Sequence, residues 1–235
     1  MEAITPVVSF AGAFSLGIIF AVLGAVKLRL ADILQVNDAQ YGRLISTLMF
    51  ASLIAVLIIG PLQDAIGYMP IGLVGFGAGG VCLWILAGAK TYGTALVACA
   101  LLGIGAMCVN TIGNTLGPAV LFEGENPALA QNLINAFFGL GGFLTPIFVG
   151  KFADKLGYQK TVSVIGAVVF ALVILVFLAD FPEAPGDFEL VASLGLLGTG
   201  ARRHIWWALP VLLHRPRGIH GRFRKHVLEG SRAYG

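Results

Sequence analysis

Apolar residues run along this chain in long blocks separated by short polar interruptions. Six blocks, at residues 6–28, 41–63, 70–89, 94–117, 129–150 and 160–180, each reach the ~20 residues that a helix needs to cross a bilayer. Barrel strands would instead show alternation over segments of about ten residues, so the predicted elements are helices. Polar residues are spread unevenly among the blocks. The third has no Ser, Thr, Asn or Gln between Pro70 and Ala89, and the sixth has little beyond Ser163. The fourth carries Asn110, Thr111, Asn114 and Thr115, and the fifth carries Gln131, Asn132 and Asn135. An amide left unpartnered in lipid costs several kcal/mol. The amides are therefore expected to face other helices or a watery cavity, with the third and sixth helices turned to lipid.

The bland blocks close two triplets, and a repeated phrase marks the same place in each. "GPLQDAIGY" (Gly60 to Tyr68) lies between the second and third blocks, and "GKFADKLGY" (Gly150 to Tyr158) between the fifth and sixth. Asp64 and Asp154 are 90 positions apart. With three helices per unit, the second unit must lie in the membrane the other way up. The predicted fold class is an all-α integral membrane bundle, six transmembrane helices in two inverted three-helix repeats, as in many secondary transporters.

Composition supports a lipid environment. Charged residues make up 11% of the chain, hydrophobic residues 57%, and the mean hydropathy is +0.89. Soluble domains carry ~25% charged residues. The first block follows Met1-Glu2 without a basic segment or a clear cleavage site, so it is read as a retained helix. Cys82, Cys99 and Cys108 all fall in apolar blocks and are read as small hydrophobes, not redox or metal ligands. The 32 glycines suit close helix packing, and Gly75-x-x-x-Gly79 permits it in the third block. The connections "QVNDAQ" and "FEGENPA" are short.

Charge is divided along the chain. Residues 1–200 hold 7 Lys/Arg against 11 Asp/Glu, a net of −4, and residues 201–235 hold 8 Lys/Arg against one Glu, a net of +7. Three domains are expected: a six-helix bundle over 1–182, an acidic linker over 183–200 leading towards a missing seventh helix, and a basic tail over 201–235. The longest apolar stretch of the tail, Ile205 to Leu213, is nine residues, too short to span. The abrupt change of composition reads first as a frameshift or truncation. A genuine polybasic segment binding anionic lipid, at about 1 kcal/mol per basic residue, is the second reading. Metal binding by His204, His214, His220 and His226 comes last, because their spacing is irregular and no acidic or Cys partners are interleaved.

"GPLQDAIGYMP" resembles the loop motif of the major facilitator superfamily, G-x-L-x-D-x-x-G-r-x. The resemblance covers about residues 1–190 and implies the N-terminal six-helix half of a twelve-helix transporter. "GAMCVNTIGNTLGP" and "NLINAFFGLGGFLTP" are similar to helices four and five of the fucose/glucose–proton symporter branch. The resemblance gives Gly60, Asp64 and Gly67 a gating role, with Asp64 latching one helix to another at a helix N-terminus, where a carboxylate is favoured. The bland alternative is a capped turn, which is the favoured reading of Asp154. The chain departs from the motif in having Ala65, Tyr68 and Met69 where basic residues are usual, which removes the salt-bridge part of the latch. It also has Asn110 where the symporter branch carries an acidic residue, so this half lacks the embedded group that proton coupling would use. Before the tail, the loops after helices one, three and five and their helix ends carry all seven Lys and Arg: Lys27, Arg29, Arg43, Lys90, Lys151, Lys155 and Lys160. That distribution would place the N-terminus outside. The resemblance places it inside, and the position-specific motif is given precedence.

The candidate binding residues are Asn110 and Asn114, four apart on one helical face, and Gln131 and Asn135, likewise four apart. Neutral amides supply donors and acceptors suited to a small neutral polar, sugar-like solute. Amides also serve as glue between membrane helices, and spacing alone leaves both roles open. No catalytic set, metal site or cofactor motif is found, and nothing points to a nucleic-acid partner or an enzyme. Gly139-x-Gly141-Gly142 lies within a helix, so it is not a phosphate loop. Pro146 is expected to kink the fifth helix. The expected partners are the solute, the bilayer of the plasma (inner) membrane, and a second six-helix half or a homodimer mate. Transport by this chain alone is not expected, since alternating access needs two bundles. The competing class is a non-transporting half-transporter or membrane assembly protein.

Overall fold

A computed structural model describes residues 4–182. The linker, the basic tail and its four histidines lie outside the described residues. The chain forms α1 (Ile4–Leu34), α2 (Asp38–Ile66), α3 (Tyr68–Ala87) and α4 (Tyr92–Thr111). A π turn over Ile112–Leu116 and a short α5 (Gly117–Val120) prolong α4. Then come α6 (Pro127–Leu156), α7 (Tyr158–Ala171) and α8 (Val173–Leu178), the last two forming one span. Among the described residues, six helices are long and apolar enough to cross a membrane, as the six blocks predict.

The helices overrun the apolar blocks. α1 has 31 residues, so at 1.5 Å per residue it is about 46 Å long, more than the hydrocarbon thickness. Their polar ends are capped by the short connections. Asn37 and Gln40 form a reciprocal capping box, with the Gln40 N–H donating to Asn37 Oδ1 at 2.9 Å and the Asn37 N–H to Gln40 Oε1 at 3.0 Å. Thr91 accepts from the Thr94 N–H at 3.2 Å, and Asn126 from the Leu129 N–H at 3.1 Å with Pro127 opening the helix. α6 runs unbroken through Pro146.

The repeated phrase folds the same way twice. Gly67 and Gly157 adopt φ of +83° and +80°, a region that disfavours any Cβ, and each ends one helix and starts the next. The Gly67 N–H donates to the Gln63 carbonyl at 2.8 Å, and the Gly157 N–H to the Ala153 carbonyl at 3.1 Å. Helix pairing repeats as well. α1 lies along α6 and α4 along α2, and exchanging the triplets converts one pair into the other. A Cβ on Gly17 would overlap the Phe138 carbonyl oxygen and lie 2.7 Å from the Gly142 nitrogen. A Cβ on Gly103 would crowd the Leu48 carbonyl oxygen and lie 3.1 Å from the Ser52 nitrogen. Positions 48 and 138, and 52 and 142, are again 90 apart.

The symmetry breaks at one seam. α3 presses onto α4, where a Cβ on Gly75 would lie 2.9 Å from the Val109 nitrogen and one on Gly105 would lie 3.2 Å from the Gly79 nitrogen. The matching seam, between α7 and α1, carries Ile165, Val169 and Ile19 at those places. α7 touches α1 only lightly, and an apolar crevice lined by Phe14, Ile18, Phe148, Val164, Ile165 and Val168 opens between α1, α6 and α7.

Burial within the bundle is uneven. Half of the most apolar window of α3, 50%, is buried, against 28% for α2 and 22% for α6. Glycines give α3 a flat face that lets α4 and α7 approach, while Val74, Val81 and Trp84 stay exposed on its outer side. α2 exposes Phe50, Leu53 and Leu57 along one face.

Gly17→Ala is expected to destabilise the bundle by about 1–3 kcal/mol through overpacking. Gly60→Ala, where an added Cβ meets nothing within 4 Å, is expected to be neutral or slightly stabilising. Thermal unfolding of the two detergent-solubilised variants checks the contrast.

Candidate functional site

Asn114 stands in a locally altered helix. Pro118 offers no N–H to the Asn114 carbonyl four residues earlier, and its ring crowds that carbonyl. The helix widens into the π turn over Ile112–Leu116, which contains Asn114, and resumes as α5. Such turns are frequent at functional sites. On the facing helix, Ala130 and Ile134 are fully buried in a small cluster with Ala13 and Leu121. Their neighbours in sequence, Gln131 and Asn135, are thereby set beside span four.

The four predicted amides form one continuous row. Asn114 Nδ2 donates to Asn110 Oδ1 at 2.8 Å and to the Asn110 backbone carbonyl at 3.3 Å. Gln131 Nε2 donates across the helix boundary to Asn114 Oδ1, and to Asn135 Oδ1 at 3.3 Å. Asn110, Asn114 and Gln131 are half-buried, and Asn135 is exposed. The remaining polar residues of these blocks stand apart. Thr111 is buried and donates to the Met107 carbonyl at 3.0 Å, while Thr115 and Asn132 are exposed.

The two repeated carboxylates differ. Asp64 lies within the last turn of α2, exposed, and makes no ion pair among the described residues. It does not cap α3, whose N-cap has no side-chain hydrogen bond. Gly67 makes the turn, whereas Gly60 is helical with open space around it. Asp154 does form an ion pair, with Arg29 at the far end of α1. The cause is local sequence: α1 ends in Lys27 and Arg29, whereas span four ends in "LGPAVLFEG" with no base.

The sequence matches the family described as Major Facilitator Superfamily over residues 8–216. The chain belongs to the major facilitator superfamily. No curated protein matches it. As a major facilitator protein it is a multi-pass membrane protein, of a family whose members are transporters and not enzymes. The match begins within the first span, runs through the other five and continues past residue 200 into the first part of the basic tail.

Spacing paired the amides within each helix of this facilitator protein but gave no sign of the bond between Gln131 and Asn114. That bond depends on the relative rotation of two helices. Pro118, four residues after Asn114, was the available signal for the π turn. Arg29 was visible as a basic loop residue, without an indication that α1 ends next to Asp154.

Gln131→Met is expected to lower stability by about 1 kcal/mol, because it leaves the Asn114 and Asn135 side-chain oxygens without a donor. Asp154→Asn is expected to cost less than about 1 kcal/mol, the pair being well exposed. Unfolding midpoints in one detergent buffer rank the two.

Proposed function

We propose that this chain is one bundle of a secondary transporter for a small neutral polar solute, sugar-like in its hydroxyl content, in the plasma (inner) membrane. Asn110, Asn114, Gln131 and Asn135 contact the solute. The observation that carries the reading is the amide row itself. It joins two spans, remains partly accessible, and lies in a stretch of both helices without a charged side chain. Interhelical glue needs no accessible amides, whereas a solute site does.

Gly60, Asp64 and Gly67 form the gating turn in this reading. Because Asp64 is unpaired among the described residues, its mate in a closed state comes from a second bundle and not from span four. Alternating access by rocking requires that second bundle, either six further helices or another copy of this chain. The thinly covered α2 and α6 offer apolar faces to it. The competing reading, a homodimeric or assembly protein that does not transport, keeps the same bundle but leaves the row empty.

Solute binding by purified protein in nanodiscs separates the two. A panel of radiolabelled monosaccharides and polyols is expected to include a ligand whose affinity falls at least roughly tenfold in Gln131→Leu and in Asn135→Leu, the loss of about one hydrogen bond to a neutral group. Binding that both variants leave unchanged removes the row from the site. Absence of binding across the panel, with cross-linking that captures a second copy, favours the assembly reading.

A further inference from the structure

The amide row has a direction, and we infer that it selects solutes by hydrogen-bond polarity: it leaves two amino groups without a protein acceptor, those of Asn110 and Asn135, and one carbonyl without a protein donor, that of Gln131. This rests on the solute-binding reading above and specifies the ligand further.

The direction begins at a backbone group. A carbonyl oxygen only accepts. Asn114 Nδ2 lies 3.3 Å from the Asn110 backbone oxygen, so the Asn114 amino group must point along its own helix. Its Oδ1 is then turned to α6, where only a donor can meet it. Gln131 supplies Nε2 there, and the same amino group donates to Asn135 Oδ1. Asn110 Oδ1 is taken by Asn114. Reversing any one amide sets two oxygens or two amino groups against each other. The geometry therefore leaves three groups over: Asn110 Nδ2, Asn135 Nδ2 and Gln131 Oε1. None has a side-chain or backbone partner among the described residues. Asn110 Nδ2 and Gln131 Oε1 are not buried, since Ser15 Oγ is the single buried unpartnered side-chain polar atom in the non-exposed described residues, and Asn135 is itself exposed.

A ligand that satisfies the row brings two acceptors and one donor. Hydroxyls provide both: one donates to Gln131 Oε1, and two other oxygens accept from Asn110 and Asn135. An ammonium group at either acceptor position would set donor against donor, and the row contains no carboxylate to neutralise it. The ligand class is a neutral polyhydroxylated solute, read through two acceptor positions and one donor position.

Two measurements test this on the full chain in nanodiscs. The first reads polarity without a ligand. In 15N-labelled protein, with side-chain NH2 signals assigned by single Asn→Ser and Gln→Met substitutions, hydrogen exchange of the Asn114 and Gln131 amino groups is expected to be slower than that of Asn110 and Asn135. Equal or reversed protection overturns the proposal. The second uses D-glucose and its monodeoxyfluoro analogues as competitors for the bound panel ligand. Fluorine keeps weak acceptor capacity but cannot donate. One position is expected to lose affinity roughly tenfold on fluorination, with the other positions losing less. Two or more equally intolerant positions overturn the proposal. If no solute binds at all, the solute-binding reading fails, and the exchange measurement alone still decides the polarity.

Discussion

The close approach of α1 to its neighbours at glycine is the contact on which the site depends. In lipid there is no hydrophobic force to drive helices together, so packing rests on dispersion between surfaces that can come near each other. α1 meets span four where a Cβ on Gly12 would lie 2.8 Å from the Val109 carbonyl oxygen and 3.0 Å from the Gly113 nitrogen. It meets α6 where a Cβ on Gly141 would overlap the Phe14 carbonyl oxygen. Gly113 immediately precedes Asn114. One helix thus sets the positions of both helices that carry the amide row. Gly117 completes the arrangement, since a Cβ there would lie 2.8 Å from the Ile134 side chain. A single methyl at these places would move Gln131 relative to Asn114.

Polarity follows packing. Once span four and α6 are fixed, each amide has few ways to avoid an unpartnered group in a medium that supplies no water. The row satisfies the inner atoms of all four side chains and leaves the outer atoms accessible. The π turn contributes by presenting Asn114 from a widened section of helix, a consequence of Pro118. Distortion, packing and hydrogen bonding therefore act on the same residues.

The two triplets are related closely enough to reuse their turns and main seams but not their detail. Gly75, Gly79 and Gly105 close one side of the bundle, whereas the matching places hold the larger Ile165, Val169 and Ile19, with Ile165 lining the crevice on the other side. The carboxylates diverge in the same manner. Asp154 found a base at the end of α1, whereas Asp64 found none at the end of span four. An inverted repeat preserves the frame, and side-chain substitution then separates the functions of equivalent corners.

Span number, helix type, the triplet repeat and the four amide positions were all legible in the sequence. Each follows from a local rule: block length against bilayer thickness, period four on a helix, and a phrase repeated at a constant offset. Family membership was legible from "GPLQDAIGYMP" for a related reason, because a turn with positive φ at Gly67 admits few residues. The burial of half of α3, the pairing of Arg29 with Asp154, and the joining of Asn114 to Gln131 were decided by tertiary structure. These depend on how far one helix rotates and how near it comes to another, quantities set by glycine contacts between residues up to 127 positions apart and absent from the pattern of any single helix.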